Sequence, residues 1–273
     1  MRQSLCYLTA WVIAVFLTGT SVSSAAPVLP DFSAATFVPG APINNPYLPL
    51  IPGTLYTSVG QRSEDGSTAA EVDKVFVTSQ TRNILGVPSR AVRDTLFVDG
   101  VLTEDTTDWF AQDTAGNVWY MGEFTTEFQF DDNGNVIGTS HEGSWLAGVN
   151  GAMPGFAMEV VSTIGDSYYQ EFSAGVAEDQ AEVVRLGETV TVPFGQFTNV
   201  LQTFETTALD PSDREFKFYA PGIGQILEEE LGPNFEPTFA SELVSVEVVP
   251  EPISVSMAAL GVAGLAWIRR HAR

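Results

Sequence analysis

The chain has 273 residues, 44% hydrophobic and 11% aromatic, and carries 34 Asp+Glu against 12 Lys+Arg, a formal net charge of −22. The apolar content excludes a largely disordered chain. The acidity excludes nucleic acid and anionic membrane surfaces as partners, because like charges repel.

Residues 1–26 read as a secretory signal peptide. Arg2 supplies the positive n-region, Leu5 to Leu17 form an apolar run, and the small residues from Ser21 to Ala26 suit signal peptidase, with cleavage after Ala25 or Ala26. The one cysteine, Cys6, falls inside this segment, so the exported body has no disulfide, thiolate metal site or cysteine nucleophile. Burial must therefore stabilise it, which a body of about 220 residues can supply. Residues 27–52 are proline-rich with little periodicity and read as an extended leader ending in Tyr47-Leu48-Pro49-Leu50-Ile51-Pro52. With both ends removed, residues 27–249 hold 8 basic and 33 acidic residues.

Residues 53–249 read as a single antiparallel β domain. Phe124, Thr126, Phe128 and Phe130 share one parity against Thr125, Glu127 and Gln129. Phe216 and Phe218 alternate with Glu215, Lys217 and Tyr219, and Val244, Val246 and Val248 alternate with Ser245 and Glu247. Period-two patterning with one polar face predicts antiparallel sheet with one solvated side. Asp99-Gly100, Asp113 to Asn117, and Asp131-Asp132-Asn133-Gly134-Asn135 supply the residues that tight hairpins need. Only Ala177 to Leu186 could be helical, and it could equally be a strand. About eleven strands are expected, in an all-β fold with a strongly curved antiparallel sheet, half-barrel or sandwich-like. A signal helix precedes this sheet and a transmembrane sorting helix comes after it.

The body contains an internal echo. Ser89 to Glu123 holds Trp109-Phe110-Ala111 and then Gly116-Asn117-Val118-Trp119, whereas Thr198 to Glu230 holds Phe218-Tyr219-Ala220 and then Gly222-Ile223-Gly224-Gln225. Two similar β-meanders side by side in one domain are expected. The segments Tyr219-Ala220-Pro221-Gly222-Ile223-Gly224 and Trp109-Phe110-Ala111-Gln112-Asp113 resemble a group of bacterial exported β proteins without assigned activity. Several of these form curved sheets like the half-barrels of periplasmic lipoprotein carriers, so the resemblance implies fold more than function.

No catalytic residues are assigned. His141 is the sole histidine before the tail; Ser140 and Ser144 are near it in sequence, but no Gly-x-Ser-x-Gly elbow occurs, and a strand-end histidine is the expectation. The carboxylate pairs Glu104-Asp105, Asp131-Asp132, Glu178-Asp179 and Glu228-Glu229-Glu230 read as solvated surface. Asp131, Asn133 and Asn135 offer oxygen ligands at alternate positions, a weak calcium candidate. Gly134 is misplaced for an EF-hand and no closing Glu is present, so a hairpin turn is the first reading and no cofactor is required. The aromatics at Trp109-Phe110, Trp119-Tyr120, Trp145 and Tyr168-Tyr169 read mainly as core, with sugar stacking as the alternative.

Residues 250–273 form a tripartite tail: Pro250-Glu251-Pro252, an apolar run from Ile253 to Ile268, and a basic end with Arg269, Arg270 and Arg273. Sixteen residues of helix span about 24 Å, close to a hydrocarbon core, and the arginines would stay cytoplasmic. The tail resembles the PEP-CTERM sorting signal. That resemblance implies an exosortase-type transpeptidase as partner, transient residence in the inner membrane of a Gram-negative bacterium, and delivery to the cell surface or extracellular matrix, where exopolysaccharide or outer surface components could be met. The resulting expectation is a non-enzymatic exported surface or matrix protein. The alternatives are a carrier holding a lipid or other apolar ligand in the concave face, and a polysaccharide-active hydrolase, which needs carboxylates converging in a cleft.

Overall fold

The computed structural model describes residues 26–249 apart from 65, 66 and 132. The signal run, the Pro250-Glu251-Pro252 motif and the basic tail lie outside the described residues. A single 3-10 turn, Phe32–Ala34, and seventeen strands make up the regular structure among the described residues. In chain order the strands are β1 Ile43–Asn44, β2 Pro49–Leu50, β3 Thr54–Glu64, β4 Ser67–Ile84, β5 Val87–Val98, β6 Val101–Gln112, β7 Val118–Phe130, β8 Val136–Ser140, β9 Trp145–Leu146, β10 Met153–Met158, β11 Ser167–Tyr169, β12 Glu171–Phe172, β13 Asp179–Val192, β14 Gly195–Thr207, β15 Arg214–Ala220, β16 Gly224–Leu231 and β17 Pro237–Val248.

Fifteen strands form one antiparallel sheet in the order β11-β13-β14-β15-β16-β17-β3-β4-β5-β6-β7-β10-β12, with β8 and β9 also paired to β7. Its two ends meet where the Gln170 amide donates to the Asp179 carbonyl at 2.8 Å. The sheet therefore curls further than a half-barrel, into a nearly closed barrel. Register shifts between Val77 and Thr81, Trp109 and Phe110, Phe218 and Tyr219, and Leu243 and Ser245 bend the long strands. Bulges of this kind increase local twist and turn a sheet into a cylinder. The closure is tight at Gly155, where an added Cβ would collide with the backbone of Tyr169 and Gln170. Ala177 to Leu186, ambiguous in sequence, runs into and along β13.

The leader packs against the barrel. The β1–β2 hairpin plugs one end, placing Ile43 and Leu50 against Val92, Val118, Leu201 and Tyr219. Asn45, 1% exposed, pins it there. Its Nδ2 donates to the Gly116 and Glu159 carbonyls, and its Oδ1 accepts from the amides of Tyr47 and Leu48. Phe32 and Phe37 cover Trp119 on the other face of the sheet, where Trp109, Met121 and Trp145 are also buried. A third cluster joins Val192, Val200, Ile226 and Leu243. Apolar packing thus lies at the plugged end and on parts of the outer face, leaving the remainder of the lumen to polar side chains.

The two meanders echoed in sequence are β5-β6-β7 and β14-β15-β16. They are separated in the sheet by β17, β3 and β4, so they face one another across the barrel instead of lying side by side. Their registers match in detail. Asp108 pairs with Glu123 and Phe110 with Tyr120 across one bulge; Lys217 pairs with Glu228 and Tyr219 with Gln225 across the other. Met121 and Ile226 occupy the matching bulged positions, and both are buried.

Candidate functional site

Successive strand residues point to opposite faces, so one member of each of the doublets Glu104-Asp105 and Glu178-Asp179 enters the lumen. Glu104 lines the interior while Asp105 pairs outside with Arg93 at 2.6 Å. Asp179 lines the interior rim while Glu178 accepts from the Gly175 amide. Glu228 and Glu230 face the interior cavities. The expectation of solvated outer surface is corrected for these three groups, whereas Asp131 stays outside in the β7–β8 turn. The polar parity Glu215-Lys217-Tyr219 is likewise the inner face, and Phe124, on the apolar parity, is 49% exposed outside. A sequence alternation fixes that two faces differ, not which one is enclosed.

These side chains surround a chamber of about 330 Å³, lined by Asp94, Glu104, Asp108, Glu123, Glu171, Asp179, Glu205, Asp213 and Glu215 among others, with Lys217 its one basic group. A second cavity of about 230 Å³ shares Leu48, Asp94, Asp108, Phe110, Lys217 and Gln225 with it and adds Tyr56, Ser58, Asp73 and Val75. Leu48 of the leader forms part of the floor. Asp179 and Asp213 stand exposed at the rim.

Three groups of contacts organise the chamber. Lys217 Nζ lies 2.8 Å from Glu215 Oε1, 3.3 Å from Glu205 Oε2 and 3.8 Å from Glu228 Oε2. Glu205 Oε1 also accepts from Thr203 Oγ1 at 2.7 Å and from the Tyr219 hydroxyl at 3.1 Å. Burial by itself pulls the lysine pKa down; the charges of Glu215, Glu205 and Glu228 outweigh it and hold it well above the ordinary lysine range. Burial lifts Glu215 to about 8 despite Lys217.

Opposite, the Tyr120 hydroxyl lies 2.6 Å from Asp108 Oδ1 and 2.8 Å from Glu123 Oε2. A tyrosine has one proton to donate, so two carboxyls can both bond it only if one of them is itself protonated. The pKa directions agree. Burial raises Asp108 to about 7, and burial followed by the Asp108 charge raises Glu123 to about 8. The third group is the carboxyl–carboxyl hydrogen bond between Asp73 and Asp94, with Asp94 pushed well above its usual range by burial and then by the charge of Asp73. Glu171, 5% exposed, is pushed the same way by burial and then by Glu123. Trp145 and Asp179 also reach the Glu171 carboxyl, but no donor is well aligned on its Oε2 or on Asp73 Oδ1.

The residues singled out in sequence lie elsewhere. Asp131 Oδ1 accepts from the amides of Asn133 and Asn135, and both its oxygens accept from Asn135 Nδ2, which lowers its pKa. Those bonds close the β7–β8 hairpin as an Asx turn. His141 sits outside the barrel, stacked on Phe124 at 4.8 Å with Nδ1 2.7 Å from the Thr125 carbonyl. Ser144 Oγ instead accepts from the Thr125 amide. Trp109, Trp119, Trp145 and Tyr168 are buried, whereas Phe110 and Tyr120 line the chamber. Among the described residues no three His, Cys, Asp or Glu side chains are arranged to hold a metal ion.

The chamber acids are the residues that reading by sequence missed. Their signal was present as polar residues at every second position of neighbouring strands, Glu104-x-Thr106-x-Asp108 beside Glu123-x-Thr125.

The last described contact is the Val249 amide donating to the Gly53 carbonyl, and the sorting motif begins at this same point of the chain. Residues 248–270 match the PEP-CTERM protein-sorting motif. The chain is a carrier of that motif. No curated protein matches the chain. Two solved structures are similar. One, from Bacteroides fragilis, is designated an exported protein with a YmcC-like fold, at 15% identity and TM-score 0.40, covering 74% of this chain and 98% of that one. The other, from Parabacteroides distasonis, is designated a lipoprotein, at 13% identity and TM-score 0.36, with the same coverage.

Proposed function

We propose that this is an exported, non-enzymatic protein of the bacterial cell surface or extracellular matrix, held briefly in the inner membrane and released by an exosortase-type transpeptidase acting at Pro250-Glu251-Pro252. The observation that carries this reading is the sorting motif at residues 248–270, which starts where the barrel finishes. Strand β17 ends at Val248, and Val249 makes the last described backbone bond, so removal of the tail leaves every described strand pairing in place.

The interior bears on the alternatives. An apolar ligand would have to desolvate the chamber's carboxylates, which is costly, so a lipid carrier is disfavoured. A polysaccharide-active hydrolase would use raised-pKa carboxyls such as Asp108 and Glu123, but it also needs a groove that a polymer can cross. Here they line a pocket of about 330 Å³ with the leader at its base, a volume suited to a small molecule.

Replacing Pro250-Glu251-Pro252 with three alanines tests the proposal. The expected result is a protein of unprocessed mass that stays in the inner-membrane fraction. Processing and export equal to those of the parent would refute it.

A further inference from the structure

We infer that the half of the chamber built by β5, β6 and β7 is a binding site for a primary alkylammonium group, held between Asp94, Asp108 and Glu123.

The protein contains its own template for such a site. In the β14-β15-β16 meander, Lys217 places an ammonium among Glu205, Glu215 and Glu228 at 2.8–3.8 Å. Strand register superposes the other meander on it residue by residue. Aligning Asp108 with Lys217 aligns Glu123 with Glu228, since each pair is directly cross-strand before the bulge. The same alignment puts Asp94, opposite Thr106, on Glu205, opposite Glu215. Two of the three cage acids therefore recur, Asp94 for Glu205 and Glu123 for Glu228, while Thr106 falls on Glu215; the third acid of this half, Asp108, stands at the lysine's own position. One half is neutralised internally; the other has carboxyls and no cation.

A second, independent observation shows that this half is incompletely satisfied. Glu171 lines the same chamber and is 5% exposed; Trp145 and Asp179 lie within hydrogen-bonding reach of its carboxyl, yet no donor is well aligned on its Oε2. Leaving such a group buried and unpaired costs about 1–3 kcal/mol or more, whereas an ammonium offers three N–H donors and a positive charge. The size of the space favours an organic cation over a bare metal ion. About 330 Å³ is far more than one ion needs, and no three acids are set for metal coordination among the described residues. Asp179 and Asp213, exposed at the rim, give an approaching cation a favourable path. The ligand class is a linear amine whose head enters the acid pocket and whose alkyl stem rests near Phe110 and Leu48.

Calorimetric titration of the whole chain in non-ionic detergent with 1,4-diaminobutane at pH 7.5 tests this. Tetramethylammonium and calcium chloride at matched ionic strength are the controls. The diamine should bind saturably at one site, and both controls should fail, since tetramethylammonium has charge without N–H donors. Absence of saturable binding, or equal binding of either control, overturns the inference. Asp108→Lys should abolish binding by installing the missing ammonium. If that variant does not fold, the near-isosteric Asp108→Asn and Glu123→Gln should each weaken binding about tenfold or more; unchanged affinity in both would overturn the site. A parallel titration with Nα-acetyl-lysine methylamide separates the two sources of such a group. Tighter binding of the diamine assigns a free amine, and tighter binding of the lysine analogue assigns a peptide side chain.

Discussion

The Asp108–Tyr120–Glu123 arrangement predicts that the barrel is more stable in mild acid than at neutral pH. In the folded chain the three groups need one shared proton; unfolded, both carboxyls would titrate at their ordinary values of 3.8 and 4.5. Their folded values lie at about 7 and about 8, so the folded state binds the extra proton across the window between these limits. Stability conferred by a raised carboxyl is complete below the unfolded pKa and is lost as pH rises through the folded one. One proton is worth about 1.4 kcal/mol per pH unit. The two carboxyls meet on one Tyr120 hydroxyl and share a single proton, so one proton is at stake for the set, not two. From pH 5.5 to 7.5 the loss is then about 3 kcal/mol. For a domain of this size that is a fall in Tm of about 6–12 °C. Differential scanning fluorimetry at constant ionic strength across this range measures it. Glu123→Gln supplies a permanently neutral partner, so it should make the profile shallower than the parent's, leaving the slope due to Asp94, Glu171 and Glu215, and exceed the parent in Tm at pH 7.5. A parent Tm that is flat or rises with pH, or a Glu123→Gln profile parallel to the parent's, would refute the shared proton.

Lys217→Met strands three acids around an empty position and should cost about 3–5 kcal/mol in urea melts at pH 8, with much of the loss recovered at pH 5. Asn45→Ala removes the bonds that seat the leader and should cost about 1–3 kcal/mol, with faster amide exchange across residues 43–50 than in the rest of the barrel. Gly155→Ala forces a methyl into the backbone at the barrel's closure and should destabilise by about 1–3 kcal/mol or more, seen as a lowered urea midpoint. Melting curves in calcium and in magnesium at matched ionic strength should coincide, because the oxygens of Asp131 already accept hydrogen bonds from Asn133 and Asn135; a calcium-specific rise abolished by Asp131→Ala would show a metal site instead.

The sequence by itself determined the sorting address, since a tripeptide with an apolar run and arginines behind it is recognised as linear chain. It also determined the β character, because period-two patterning and Asn-Gly turns are local properties, and it carried the echo between the two meanders. It left open which face of each strand is enclosed. Glu215-x-Lys217-x-Tyr219 has the same alternation whether it faces bulk water or a lumen, and the usual assumption of polar side outward chose water. Closure decides the matter, through contacts far apart in the chain: Gln170 meets Asp179, Gly155 lets strands approach, and the β1–β2 hairpin covers one end. Only once the sheet has curled do Asp108 and Lys217, 109 positions apart in the sequence, face into one chamber, and only there does low dielectric turn ordinary carboxylates into groups that must share protons or find a cation. Burial of charge is a property of the assembled barrel, and no window of sequence short enough to show a strand contains it.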